Sequence, residues 1–500
     1  MQKATLSPRL ALQRLALLAL LPAAASLSAC SDSDEKGTPG NAVELKAHSV
    51  TPALVKVLPG FESLQIFPLI SSDDKLAESP NFIFGPQPDG AALLRNPAAG
   101  GGFVLINNHE ISQSVSRVYL DKTFKPVKGE YIVDYNGGTT RLCSATLATP
   151  EEHGFPMPVF LTAGESGAES QVHAIDPLGP IDKTNSGRRK PALGKASMEN
   201  AVPLHKQAYP GKTVIIIGED DTNGQVVLYV SNTPGDLENG KLYLLKRPNS
   251  NPVETDLSQG TSYDVEWVEV PNAKTLTGAQ IAAFSVSSGA LQLARVEDLD
   301  YRKGSAANNR EIYFTATGVS QADKVSPVTG KTMWGRIYKL NLDAQNPTGP
   351  AKLEVVVDGA QDPGKYIVNP DNICVTDGYV YIQEDGDSFY LNNDHDGRIW
   401  QWNINSPGQR AKPMLEMDHR RTDAAFNTKY NPSNSQNKSS WEYGAMYDIS
   451  DLVNTPNTFL VNIHPHTWQD ARFRNADGSG AAANTNSEGG QVVIVRGVAK

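Results

Sequence analysis

Cysteine is scarce: 3 residues in 500, at positions 30, 143 and 374, too few for a disulfide framework to hold the fold together. Basic charge is short as well, with 45 Lys and Arg against 55 Asp and Glu and a formal net charge of -10. Without Lys3, Arg9 and Arg14 of the leader the figure is -13, which argues against nucleic acid as a partner, because that affinity rests on a basic surface. Several catalytic signatures are missing. There is no G-x-S-x-G elbow, no H-E-x-x-H around His109 and Glu110, and Gly218, Glu219, Asp220 and Asp221 lack the glycines and lysine that cradle a nucleotide phosphate. Helical periodicity is sparse, whereas 42 Gly and 33 Pro mark a turn-rich, mostly β chain. The excess acid suits a binder of multivalent cations, although acidic surfaces also serve solubility.

The start of the chain reads as an address. Lys3, Arg9 and Arg14 precede an apolar core at 15–21, too short for the about 20 residues of a membrane-spanning helix. Leu27, Ser28, Ala29 and Cys30 resemble the lipobox cut before its cysteine, so residues 1–29 are expected to be a lipoprotein signal peptide and Cys30 the lipidated residue. The alternative is an ordinary secretory peptide in which Cys30 is incidental. Residues 30–40 read as a polar tether, and Ser31 resembles the signal that sends such proteins to the outer membrane of Gram-negative bacteria, facing periplasm or surface.

From residue 41 to 500 no Pro- or Ser-rich linker divides the chain. Seven short apolar runs, 103–106, 159–161, 214–217, 227–230, 312–314, 380–382 and 459–461, each end in polar residues, among them His109-Glu110, Glu165, Glu219-Asp220, Glu384-Asp385-Gly386-Asp387 and His464-Pro465-His466. Three or four β-branched and aromatic residues between turn formers read as buried strands, so these groups emerge at one end of a sheet. A longer unit recurs around them. A polar segment (Met198-Glu199-Asn200, Arg295-Val296-Glu297-Asp298, Asn369-Pro370-Asp371-Asn372 or Trp441-Glu442-Tyr443) precedes the apolar run, and a Gly-started alternating segment follows it. That meander is the pattern of a propeller blade, so the expectation is an all-β single propeller with short helical insertions.

Acids brought together across a propeller channel repel one another until a cation offsets them. Taken singly, each acid is more simply a turn cap, as Asp-Gly at 377–378 and 396–397 suggests, and the loops around Asp385 and at 392–397 do not fit a full calcium-binding pattern. Cys143 and Cys374 either pair with each other or leave Cys143 as a soft metal ligand.

The ordered set Asn108-His109-Glu110, Cys143, Gly164-Glu165, Met198-Glu199, Gly218-Glu219-Asp220, Arg295-Val296-Glu297-Asp298, Pro370-Asp371-Asn372 and Glu384-Asp385-Gly386 resembles the PhoX-type alkaline phosphatases. The resemblance implies a six-bladed propeller whose channel mouth holds iron and calcium ions that bind and hydrolyse phosphomonoesters, and a monomer is expected. It places the cysteine ligand of Fe³⁺ on Cys143, acidic ligands of Fe³⁺ and Ca²⁺ on Glu165, Glu199 and Glu297, a later aspartate on Asp371 or Asp385, and the phosphate-binding arginine on Arg295. The chain departs from the family where Gly164-Glu165-Ser166 stands for Cys-Glu-Glu, where Met198-Glu199 stands for His-Glu, and where Arg9 and Arg14 are separated rather than twinned. Two functions follow: a metal-dependent phosphomonoesterase lipid-anchored in the envelope, favoured by Cys143 and Arg295, or a calcium-stiffened propeller without turnover that binds a ligand or envelope partner, favoured by Ser166.

Overall fold

A computed structural model describes residues 42–134, 137–181, 187–386, 393–432, 440–476 and 486–500. The leader 1–29, Cys30, the tether 30–40, Asp387 and Asn392 lie outside the described residues.

The apolar runs become strands because β-branched and aromatic side chains pack well on a pleated surface. Antiparallel meanders follow one another along the chain, beginning with Pro88–Arg95, Phe103–His109, Ser114–Leu120 and Pro126–Val133. Arg141–Ala148, Val159–Glu165 and His173–Ile175 form the next. The first strands of the meanders are Pro88–Arg95, Arg141–Ala148, Met198–Pro203, Val296–Tyr301, Pro370–Val375 and Glu442–Asp448, and each packs beside the next until the last meets the first. The result is an all-β, propeller-like ring. Hydrogen bonding groups the strands into five sheets, because Ser262–Glu269 pairs with both Lys241–Lys246 and Ala351–Asp358 and so joins two meanders into one nine-stranded sheet. Early and late segments close the ring: Gln65–Ser71 pairs with Gln491–Arg496, and Val55–Val57 with Lys412–Met417. The expected helical insertions are present and short, the longest described being Gly278–Ser288, started by a capping box at Thr277 and Gln280.

The apolar runs form second strands, except 227–230, which belongs to the third strand of its meander. Their side chains, with those of adjoining strands, fill the space between neighbouring meanders, where Ile216, Leu299, Phe314 and Tyr338 are fully buried and the last two stack at 4.9 Å. The polar segments before the runs are the innermost strands.

These innermost strands share one irregularity. Each slips register against its neighbour at the same place: between Pro88 and Ala91, Leu142 and Ala145, Met198 and Ala201, Val296 and Leu299, Pro370 and Ile373, and Tyr443 and Met446. An extra residue in one strand interrupts the strict alternation of faces and re-aims a side chain. The first inserted residues are Asp89, Cys143, Glu199, Glu297, Asp371 and Gly444; the next are Gly90, Ser144, Asn200, Asp298, Asn372 and Ala445. Five of the six meanders therefore place a thiol or carboxylate at the bulge.

Candidate metal centre

In four of the six meanders the residue after the second strand is tied to the residue two before the bulge. The Glu110 amide donates to the Gln87 carbonyl (3.0 Å), Asp220 to Ser197 (2.8 Å), Thr317 to Arg295 (3.0 Å) and Asp385 to Asn369 (2.9 Å). This repeated clasp brings a tier of strand-end side chains over the bulge tier. A cavity of about 160 Å³ lies among them, lined by nine acids, Asp89, Glu110, Glu165, Glu199, Asp220, Glu297, Asp371, Asp385 and Glu442, with Cys143, Arg141, Arg295, His466 and Gln87. Nine acids against two arginines leave an excess of carboxylate that a bound cation would offset.

All seven site residues expected from the sequence line this cavity: Cys143, Glu165, Glu199, Arg295, Glu297, Asp371 and Asp385. Cys143 and Cys374 are both free, buried thiols, which removes the disulfide alternative. The Cys143 thiol lies 3.1 Å from Glu165 Oε2. Donor atoms within 4.8 Å of one another come from Asp89, Cys143 and Glu199, from Glu110, Cys143 and Glu165, and from Glu199, Glu297 and Asp371. Glu199 and Cys143 each belong to two such groups, so one side chain could bridge neighbouring ions.

Electrostatics follow from burial. Desolvation is the main cause that pushes Asp89, Cys143, Glu199, Glu297 and Asp371 well above their usual ranges, and adjacent acids add to it at each; Arg295 opposes it at Glu297 and His464 at Asp89. Burial, then Glu110 and Asp220, raise Glu165 to about 8. At Asp220 burial is outweighed by Arg295, which holds the carboxyl below its ordinary value. Burial is likewise outweighed at Glu442, by His464 and His466. In the other direction Glu442 carries His464 up to about 9 against the effect of burial.

Arg295 stands at a corner of the backbone. It has φ 63, and the innermost strand begins at Val296. Its amide donates to the Asp221 carbonyl at 2.9 Å, and this left-handed corner turns the chain into the innermost strand. The guanidinium still reaches Glu297: Nη2 is 2.5 Å from Glu297 Oε1, and Nε is 2.8 Å from Asp220 Oδ1. A corner, not a shared strand face, brings the pair together. Asp396 departs from expectation. It is no turn cap but a buried acid that accepts from Arg420 Nε at 2.8 Å.

Sequence reading passed over Asp89, Arg141, Glu442 and His466 as site residues. Asp89 precedes Gly90; Arg141, two before Cys143 as Arg295 is two before Glu297, shares its register position and holds Glu110 Oε1 at 2.6 Å. The repeated spacing to the bulge marks Asp89, Arg141 and Glu442, and His466 stands in the strand-end cluster at 464–466.

The sequence model of the alkaline phosphatase PhoX family matches residues 171–436, more than half of the chain. The chain belongs to the PhoX alkaline phosphatase family. No curated protein matches it. Among solved structures its fold is similar to that of Pseudomonas fluorescens PhoX in complex with vanadate, a transition state analogue, with a TM-score of 0.57 and 13% identity over 90% of this chain and 98% of that one. An α-L-arabinofuranosidase of Fusarium graminearum in complex with an iminosugar inhibitor gives a TM-score of 0.39 at 12% identity, over 86% of this chain and 98% of the other. The PhoX match contains Glu199, Arg295, Glu297, Asp371 and Asp385, whereas Asp89, Cys143, Glu165 and Glu442 lie outside its limits.

Proposed function

We propose that this member of the PhoX family is a metal-dependent phosphomonoesterase. The observation that carries the reading is the convergence of Cys143, Glu165, Glu199, Glu297, Asp371, Asp385 and Arg295 on one acid-rich cavity. The donor set fits the implied ions: carboxylates in number suit Ca²⁺, and the single thiolate of Cys143 suits iron. Glu199, Glu297 and Asp371 would hold calcium, and Cys143 with Glu165 would hold Fe³⁺. Bound there, such ions supply positive charge that offsets phosphate oxygens and lowers the pKa of water.

The remaining work falls to this chain's own residues. Asp220 and Glu297 occupy Nε and Nη2 of Arg295, and so fix the guanidinium while leaving Nη1 for a phosphate oxygen. A donor held in place before the reaction needs no reorganisation when charge builds up on the phosphoryl group. Arg141, clamped by Glu110 and 43% exposed, stands at the more open side and would meet the incoming monoester first. Pseudomonas fluorescens PhoX forms a complex with vanadate, and we infer that this cavity takes the same class of oxyanion.

We read the ring as six blades, counting the nine-stranded sheet as two blades joined by Ser262–Glu269. Membrane attachment through Cys30, an outer-membrane location and a monomeric state complete the proposal. Cys30→Ser should abolish lipid labelling, and undiminished labelling would refute the anchor. The function itself is tested by metal analysis and a chromogenic phosphomonoester assay on one purified sample. Iron and calcium together with turnover are expected. Calcium alone without turnover would instead favour the non-catalytic binding propeller.

A further inference from the structure

The sixth bulge breaks the pattern. It has Gly444 where the other five have Asp, Cys or Glu, and a Cβ there would come 2.5 Å from the Pro88 carbonyl oxygen and 2.9 Å from His464 Nε2. A side chain at this corner is excluded by the backbone of Pro88 and Asp89, and the His464 imidazole at the end of the second strand, Thr458–His464, lies beside it.

Two histidines and an acid meet there. His464 Nε2 lies 2.9 Å from the Pro88 carbonyl, so that nitrogen carries the proton and donates. Its other nitrogen, Nδ1, lies 3.4 Å from Glu442 Oε2, yet has no hydrogen-bond partner and is completely buried. His466 repeats the arrangement in the opposite sense: Nδ1 is 3.0 Å from Glu488 Oε2, and Nε2 is 3.2 Å from the same Glu442 oxygen. Glu488 is itself held by Gln87 Nε2 at 2.8 Å. Each ring thus has one nitrogen anchored by an acceptor and the other aimed at one carboxylate. Anchoring of this kind, by a carboxylate or a backbone carbonyl, is how proteins orient metal-binding imidazoles. The separations agree, because ligand atoms about 2.1 Å from a tetrahedral ion stand about 3.4 Å apart.

We propose that His464 Nδ1, His466 Nε2 and a Glu442 carboxylate oxygen hold a divalent transition-metal ion on the cavity wall. The three donors lie within 4.8 Å of one another and share no residue with the three carboxylate and thiol groups described above. Two imidazoles with one carboxylate select zinc or another first-row metal, whereas calcium takes oxygen ligands. The site adds an ion to the PhoX reading and stands on nitrogen coordination, independent of turnover.

The test uses the full chain, stripped of metal, refilled with Ca²⁺ and given one equivalent of Cu²⁺ as probe. Pulsed electron paramagnetic resonance should detect two imidazole nitrogens. His466→Gln should leave one, and Cys143→Ser should leave both. Metal analysis of the purified protein should show one transition-metal ion fewer per chain in His466→Gln, with calcium content unchanged. Absence of imidazole coupling in the parent overturns the proposal, as does coupling or metal content that His466→Gln does not alter. A fall in calcium in that variant, with the transition metal retained, also overturns it. Because the parent spectrum decides without mutation, the test does not depend on whether His464→Asn folds.

Discussion

Two rows of side chains one residue apart in sequence behave in opposite ways. The second inserted residues, Ser144, Asn200, Asp298 and Asn372, saturate one another. Asn200 Nδ2 donates to Asp298 Oδ1 at 2.6 Å, the Ile373 amide to Asp298 Oδ2 at 3.1 Å, and Asn372 Nδ2 to Ser144 Oγ at 2.7 Å. They cross-link the innermost strands and are not among the residues that line the cavity. The first inserted residues, Asp89, Cys143, Glu199, Glu297 and Asp371, face a space shared with further acids. Burial is common to both rows; what separates them is the supply of donors. Glu254 makes the same point elsewhere in the fold: fully buried, it accepts from the Ala294 and Thr332 amides and from the Tyr338 hydroxyl, and no metal is needed to explain it. A buried acid marks a candidate site only where the protein has not already satisfied it.

The comparison breaks most readily by removing cations. Chelation should abolish phosphatase turnover and lower the melting temperature, because a ligand a thousandfold above its Kd stabilises the folded state by about 4 kcal/mol. Added calcium should restore part of the loss, and unchanged melting after verified removal of metal would sink the idea.

Substitution of neighbours sharpens it. Glu297→Ala should reduce metal content and lower turnover by at least the 10–100-fold typical of outer partners of a metal ligand. Asp298→Ala should instead keep the metal and lose about 2–3 kcal/mol, since Asn200 and the Ile373 amide are left unpaired. Equal metal loss in both variants, measured by elemental analysis beside denaturant unfolding, would erase the distinction between the rows.

Arg295→Ala tests the arginine at the corner. It should leave metal content near that of the parent and lower turnover roughly a hundredfold, the scale for one lost preorganised donor. Hydrolysis as fast as the parent's would reduce Arg295 to a counter-ion for Asp220 and Glu297.

The smallest effect is a pH dependence confined to stripped protein. Burial with neighbouring acids raises Glu165 to about 8. A folded acid with a raised pKa keeps a proton that the unfolded chain has released, so its contribution is full below about pH 4 and is lost as pH rises towards 8. Stripped protein should therefore melt higher at pH 5 than at pH 8.5. Metal-loaded protein should lose that order, because bound ions hold the ligands ionised. Thermal scans across pH with and without chelator decide it; a stripped protein more stable at the higher pH would contradict the assignment.

Local chemistry in the sequence was enough for the strands and the propeller-like ring, and the resemblance to the PhoX family pointed to most of one tier of cavity-lining residues. Apolar runs of β-branched residues can be satisfied only in strands, and the order of Cys143, Glu165, Glu199, Glu297 and Asp371 survives in a linear reading. Tertiary structure alone decided the rest. The six bulges arise where innermost strands meet their neighbours, so Asp89 and Gly444 carried no signal in the linear sequence. Arg295 reaches Glu297 through a left-handed corner that the pattern of side chains could not reveal. The pairing of Glu442 with His464 and His466, more than 20 residues away, depends on strand register and ring closure. Sequence spacing encodes which face a side chain takes within one strand; which charges share a cavity is settled only when all the strands are in place.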